Sequence, residues 1–290
     1  MNRTVVGILC GLGAASIWGG MYVVSKVVLD IIPPFSLVTL RLILGAVTLA
    51  IVLLIQGFPK ISRRQLLEIL GVGFIGYGVS LSLQFLGTKL STAANGSLVT
   101  SATPAFVLIF ASLLLKEKIT WLRLIALLLA TLGVLAVIDP RSAQLQPDLF
   151  MGNLALIGAA VTWALYSVLV RKTTRNMDVL LFSLIAFLGG LPVSMPLGIW
   201  ELQTIGVEEI GLGVIGGVLF LGIISTALAM VLWNTAFAFV DASLASLTFF
   251  AQPVVGTLLG WLFLDERITP LFLLGGLLIG LGLLIASLEK

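Results

Sequence analysis

Apolar runs of about twenty residues, broken by short polar stretches, recur along the whole chain. Ten are read, at 5–28, 34–56, 66–87, 92–115, 121–138, 151–171, 178–200, 210–237, 242–264 and 270–288. Each can cross a ~30 Å hydrocarbon core at ~1.5 Å per residue, and lipid offers the backbone no hydrogen-bond partner, so each is expected to be a helix. The longest gaps, around 139–150 and 201–209, are loop-sized. The pattern therefore predicts an all-α membrane protein of ten transmembrane helices. The opening MNRTVVGILCGLGAAS has the basic start and apolar centre of a signal peptide. Its run continues through Trp18 to Val28 and has a counterpart later in the chain, so it is read as the first spanning helix.

Composition agrees with that reading. Of the 290 residues 59% are hydrophobic and 10% charged, with a mean hydropathy of +1.20; a soluble domain carries roughly 25% charged residues. Ten crossings place both termini on one side. Eleven of the 16 Lys and Arg residues then fall on the terminal side and four on the opposite side, with Arg41 inside a span. The positive-inside rule makes the termini cytoplasmic and the location a plasma membrane, the inner membrane of a bacterium.

Two stretches nearly match: SLLLKEKIT at 112–120 and WLFLDERIT at 261–269. The first joins the fourth and fifth runs and the second the ninth and tenth, so they face opposite sides. A duplicated five-helix unit enters the membrane inverted the second time, because five is odd. Replacement of Lys116 and Lys118 by Asp265 and Arg267 around the glutamate follows from the charge rule for translocated loops. Further pairs hold an offset of 149, among them Ala93 with Ala242, Ser97 with Ser246 and Pro104 with Pro253. Near the start the offset is 145, with Ala14-Ala15 and Trp18 on Ala159-Ala160 and Trp163, and Lys26 on Arg171. The expected domains are a first repeat over 1–138, an outward-facing linker at 139–150, and a second, inverted repeat over 151–290.

Inverted repeats recur in secondary transporters, where two halves with the same packing options open a midplane site to either side in turn. Pro104 and Pro253 lie midway along paired runs, where each would break the helix and free the carbonyl four residues back, those of Thr100 and Phe249. Trp18 and Trp163 fall at the same depth. Asn95, Thr100 and Gln252 add polar groups to the proline-bearing runs, and Tyr22, Tyr77, Gln84 and Tyr166 extend the candidate lining. Phe249 and Phe250 point differently, so at most one lines it. Aromatic rings with hydroxyls and amides suit a neutral or zwitterionic organic solute better than a bare ion or a polyphosphate.

The charged residues are candidates for gates or structural anchors. Lys26 reaches the interface or contacts solute, and the sequence leaves both open. Arg41 lies deeper; pairing with Glu266 or Asp265 is the expectation and a substrate carboxylate the alternative. Glu117 and Glu266 sit at opposite rims as helix-end anchors or gate contacts. No carboxylate lies near a helix centre and histidine is absent, so proton coupling finds no titratable group there. Cys10 stands alone, which excludes an intrachain disulfide. An intramembrane enzyme acting on lipid would need paired carboxylates or metal ligands; the reading is therefore no enzyme, no metal, no cofactor and no nucleic acid, with a small-molecule solute and the lipid bilayer as partners. Gly7-x-x-x-Gly11, Gly256-x-x-x-Gly260 and Gly276-x-x-x-Gly280 allow close helix packing in a monomer or a homodimer.

Taken together, Trp18-Gly19 with Lys26, Pro33-Pro34 before Leu40-Arg41, Ser91-Thr92-Ala93-Ala94 leading to Pro104 and Glu117-Lys118-Ile119-Thr120, and Pro253 leading to Glu266-Arg267-Ile268-Thr269 resemble the EamA-type ten-helix exporters of the drug/metabolite transporter superfamily. The resemblance covers 5–138 and 151–288. It implies an inner-membrane carrier that opens alternately to each side and exports amino acids or similar metabolites, with a multidrug or nucleoside-type exporter as the alternative. The second unit departs from the pattern: Ala164 follows Trp163, and LLFSLIAFLGGLPVSMP contains nothing like Arg41.

Overall fold

The computed structural model describes residues 2–91, 99–100, 102–138, 150–174, 177–206, 210–264 and 270–287, without the side chains of Tyr22 and Lys26 and a few others within helices. Asn95, Asp265 and Glu266 lie outside the described residues. A helix lies in each of the ten apolar runs: α1 (Arg3–Leu29), α2 (Pro34–Gln56), α3 (Arg63–Leu90), α4 (Thr103–Leu115), α5 (Trp121–Ile138), α6 (Phe150–Thr173), α7 (Val179–Thr204), α8 (Leu212–Phe239), α9 (Ala242–Leu247 continuing through Ala251–Leu264) and α10 (Pro270–Ser287). Among the described residues there is no strand, and six helices, α1 to α3 and α6 to α8, are long and apolar enough to cross a membrane. This is a multi-pass helical membrane protein.

Local signals fix the ends. Asn2 accepts from the Thr4 amide at 3.0 Å and starts α1. Pro34 occupies the first turn of α2, where its missing N–H costs nothing. Ser62 and Gln65 bond reciprocally across the first turn of α3, and Asp178 accepts from the Leu181 amide at 2.8 Å to start α7.

Packing is paired across the chain. α2 lies on α7 and α5 on α10, while α1 packs against α8 and α9 as α6 packs against α3 and α4. Exchanging the first five helices for the last five reproduces this set of contacts. Helices meet closely where glycine permits. A Cβ on Gly198 would touch Phe35 and Ser36, and one on Gly45 would touch Phe187, so α2 and α7 run antiparallel. The same holds for α5 and α10, where Gly133 faces Gly275 and Ile279, and Gly282 faces Ala126. Gly7, Gly11 and Gly256 are used in this way, whereas Gly276 and Gly280 meet nothing within 4 Å.

Two irregularities recur at corresponding places. α3 widens into a π-helix at Phe74–Ser80, as α8 does at Phe220–Leu228. Such segments rotate the following side chains out of register and concentrate at functional positions. Pro104 lies in the first turn of Thr103–Phe110, and Pro253 near the start of Ala251–Leu264 after the tight turn Thr248–Phe250. The sequence pattern put both prolines midway along their runs and expected a helix break at each. In the structure a helical segment begins at or just before each proline, so each stands at a break in its run.

Candidate functional site

One cavity gathers most of the candidates. Its volume is about 30 Å³ in the conformation described, room for a water-sized group or two, and it is lined from both halves of the chain. The first half supplies Trp18 and Met21 from α1, Arg41 from α2, Ser80, Leu81 and Gln84 from α3, and Thr100 and Thr103 at α4. The second supplies Ala159, Ala160 and Trp163 from α6, Met230 from α8, and Phe249 and Gln252 from α9. The π-segment in α3 carries Ser80 into this wall.

The aromatic wall is a packed cluster. Trp18 meets Trp163 edge-on with ring centres 5.8 Å apart, and Phe249 lies 6.1 Å from Trp18. Trp18 is fixed by donating from its indole nitrogen to the carbonyl of Ser225 at 3.0 Å, within the widened part of α8. Phe250 turns away and packs beside Ala126 and Ala130 of α5, so only one of the adjacent phenylalanines faces the cavity.

Tyr77 and Tyr166 stand behind the wall and do not line it. Their hydroxyls bond to each other; Tyr166 also donates to Asn234 Oδ1 at 2.7 Å, and Asn234 Nδ2 donates to Ser183 Oγ at 2.9 Å and to the Tyr77 hydroxyl at 3.3 Å. Trp163 stacks on Tyr166 at 4.8 Å, which links this fully buried network to the cavity surface. Its members come from α3, α6, α7 and α8, so Tyr77 and Tyr166, expected in the lining, tie four helices together behind it. Their inward orientation was not readable from helices that are apolar on every side.

Arg41 lies on the cavity wall at 1% exposure. It donates from Nε to Thr226 Oγ1 at 3.0 Å and from Nη2 to Ser225 Oγ at 3.3 Å, and its guanidinium lies over the Phe85 ring at 4.9 Å. Among the described residues it has no carboxylate partner, and Nη1 has no hydrogen bond. Trp163 Nε1, Thr103 Oγ1 and Gln252 Oε1 are likewise buried and unpartnered, and all four groups line the same cavity. Among the described residues these four polar atoms belong to one cavity's lining, where water or another polar group would satisfy them.

Glu117 occupies a different place, at one end of the bundle. It accepts from the Ala242 amide at 2.8 Å, the Ser243 amide at 3.2 Å and the Ser243 hydroxyl at 2.5 Å, so it caps α9 from the loop between α4 and α5. Arg123 bridges Glu117 at 3.3 Å and Asp241 at 3.2 Å, and Arg171 reaches Asp241 at 3.4 Å and the Ala238 carbonyl at 2.7 Å. The cluster ties the two halves together at that end. Met21, Ser80 and Met230 carried no sequence signal for the cavity, and neither did the part played by Asp241.

Membrane-spanning helices around a central cavity lined by apolar and polar side chains from both halves fit a membrane transporter. The chain belongs to the EamA-like transporter family, whose model matches it twice, over residues 5–138 and 150–288. It is 25% identical over 290 residues to the uncharacterized transporter YoaV of Bacillus subtilis, covering 98% of this chain and 96% of that one. It is 28% identical over 274 residues to an uncharacterized transporter of Archaeoglobus fulgidus, covering 94% and 95% of the two chains. A solved crystal structure of a protein 22% identical superposes with a TM-score of 0.81 over 97% of this chain and 96% of that chain, which shows a shared fold.

Proposed function

We propose that the protein is a secondary carrier that moves a small neutral or zwitterionic organic solute, an amino acid or similar metabolite, by alternating access, in the direction of export. The single observation that carries this reading is the position of the cavity: it lies at the seam of the two family-matched segments and takes its lining from both. Two halves that share a site in this way expose it to either side by rocking against each other.

The halves are read as inverted repeats of five helices each, split at a linker over 139–150. Antiparallel packing of α2 on α7 and of α5 on α10 supports this, since equivalent helices of repeats with the same orientation would run parallel. Ten crossings then put the termini on one side, and the distribution of Lys and Arg makes that side the cytoplasm of an inner-membrane protein. Within this frame the Glu117–Arg123–Asp241–Arg171 cluster closes the terminal side in the conformation described.

The test is uptake by the purified protein in liposomes against a panel of labelled amino acids, nucleosides and common drugs. Saturable uptake of an amino acid that Trp163→Ala abolishes without preventing membrane insertion is the expected result. Uptake confined to nucleosides or drugs reassigns the solute, and no uptake by any arm removes the carrier reading. Membrane-impermeant thiol labelling of Lys116→Cys and Asp265→Cys in a Cys10→Ala background tests the inversion; both becoming accessible from one compartment refutes it.

A further inference from the structure

We infer that Arg41 is the cargo's anion site, and that the carrier selects solutes bearing a carboxylate. The inference rests on the carrier reading above and adds to it the chemical group that must be present. A guanidinium at 1% exposure among apolar helices is held by two neutral hydroxyls and one aromatic face, and it lacks a carboxylate among the described residues. An arginine cannot give up its charge. Burying a cation without a counter-ion is costly, so such groups are normally paired. Here a partner is missing among the described residues: Nη1 of this cavity-lining residue has no hydrogen bond.

The anchoring sets a direction. Thr226 and Ser225 take Nε and Nη2, and Phe85 covers one face of the plane, which fixes the guanidinium in one orientation. The remaining nitrogen is a donor of charge-assisted hydrogen bonds, for which a carboxylate oxygen is the fitting acceptor. The other unpartnered atoms of the wall extend the match. Trp163 Nε1 is a second donor, while Gln252 Oε1 is an acceptor suited to an ammonium. Trp18, Trp163 and Phe249 offer apolar area between them for the body of the solute. The second half holds no arginine in α7, so the seam carries one anion site and not two.

The purified protein is tested by thermal stabilisation with the standard amino acids, their carboxamides and their deaminated acids such as 3-phenylpropanoate. One or more acids should stabilise wild-type protein saturably, with the matched carboxamide weaker by roughly tenfold to a hundredfold, the range of a charge-assisted hydrogen bond. The deaminated arm separates an amino acid from a simple organic acid as the source of the carboxylate. Arg41→Gln should erase the difference between acid and amide, and Arg41→Lys, which keeps the charge without the planar fork, should restore part of it. The unliganded Arg41→Gln protein should melt no lower than wild type, because the substitution removes an uncompensated charge; a structural arginine would give a clear fall. The wild-type ligand pairs decide the matter even if the variants fail to fold. Equal stabilisation by acids and amides, or none by any acid, overturns the inference. Liposome flux of an amide or an amine that Trp163→Ala abolishes would also overturn it, while leaving the carrier reading standing.

Discussion

Replacing Glu117 by alanine separates a gate from a helix anchor. The carboxylate accepts two backbone amides at the start of α9 and the Ser243 hydroxyl, and it is bridged by Arg123 at 3.3 Å. A cap of this kind contributes ~0.5–2 kcal/mol and hydrogen bonds to a charged group ~1.5–3 kcal/mol. Glu117 and Arg123 keep 11% and 15% of their side-chain surface exposed, so the charged part is discounted and the net loss set at about 2 kcal/mol. If these contacts exist only while the terminal side is closed, their loss shifts the closed-to-open ratio roughly thirtyfold. The assay places a single thiol in the cavity as Ala160→Cys in a Cys10→Ala background and follows labelling by an impermeant reagent from the terminal side. Labelling should accelerate by roughly the same factor in Glu117→Ala, and Ser243→Ala should produce a much smaller change. A lower unfolding temperature in Glu117→Ala with unchanged labelling would refute the gate and leave only the cap.

Tyr77→Phe removes one hydroxyl from the network of Tyr166, Asn234 and Ser183 and should lower stability by about 1–3 kcal/mol without altering solute preference; thermal unfolding against transport of several solutes checks this, and a changed preference would place Tyr77 in contact with cargo. Gly73→Ala puts a Cβ 2.0 Å from the Ala186 carbonyl oxygen and should force α3 from α7 at a cost of roughly 1–3 kcal/mol, read as a reduced melting temperature. Gln252→Leu should reduce liposome uptake while leaving insertion and folding intact; unchanged uptake removes Gln252 from the site. Among the described residues no carboxylate lines the cavity, and the chain has no histidine, so flux should survive collapse of the pH gradient, and strict dependence on that gradient would contradict the assignment.

The helices were legible in the sequence because lipid imposes a length and an apolarity that survive without knowledge of packing. Trp18 and Trp163 stood out in the sequence because the repeat pairs them, and Phe249 and Gln252 because they flank the paired Pro253; all four line the one cavity. Orientation around each helix axis was not. Tyr77 and Gln84 are about two turns apart in α3, yet only Gln84 reaches the cavity, and the π-segment between them resets the register by a fraction of a turn. A helix apolar on all faces has no periodic signal for its cavity side, so hydroxyl-bearing residues looked alike whether they tie helices together or meet solute. The prolines' places in their runs were visible, but the tight turn Thr248–Phe250 before Pro253 was not.

The repeat supplies the scaffold, and departures from it supply the chemistry. Contacts that map onto themselves when the halves are exchanged, such as α2 with α7 and α5 with α10, come together closely at glycines, among them Gly45 and Gly198 in the first pair and Gly133 and Gly282 in the second. On the proposed carrier reading, an interface of this kind would need two nearly equivalent packings for the halves to alternate. A solute bound by two identical walls would meet the same groups twice and have no preferred orientation. Arg41 has no counterpart in α7 and breaks the equivalence. Its hydroxyl supports, Ser225 and Thr226, come from the other half, so the charge on one repeat is aimed by the second. Rocking the halves would therefore move α8 relative to α2 and alter the grip on Arg41. Binding of an anion there and the choice of open side would then be coupled through the same two hydrogen bonds, with no need for a titrating group.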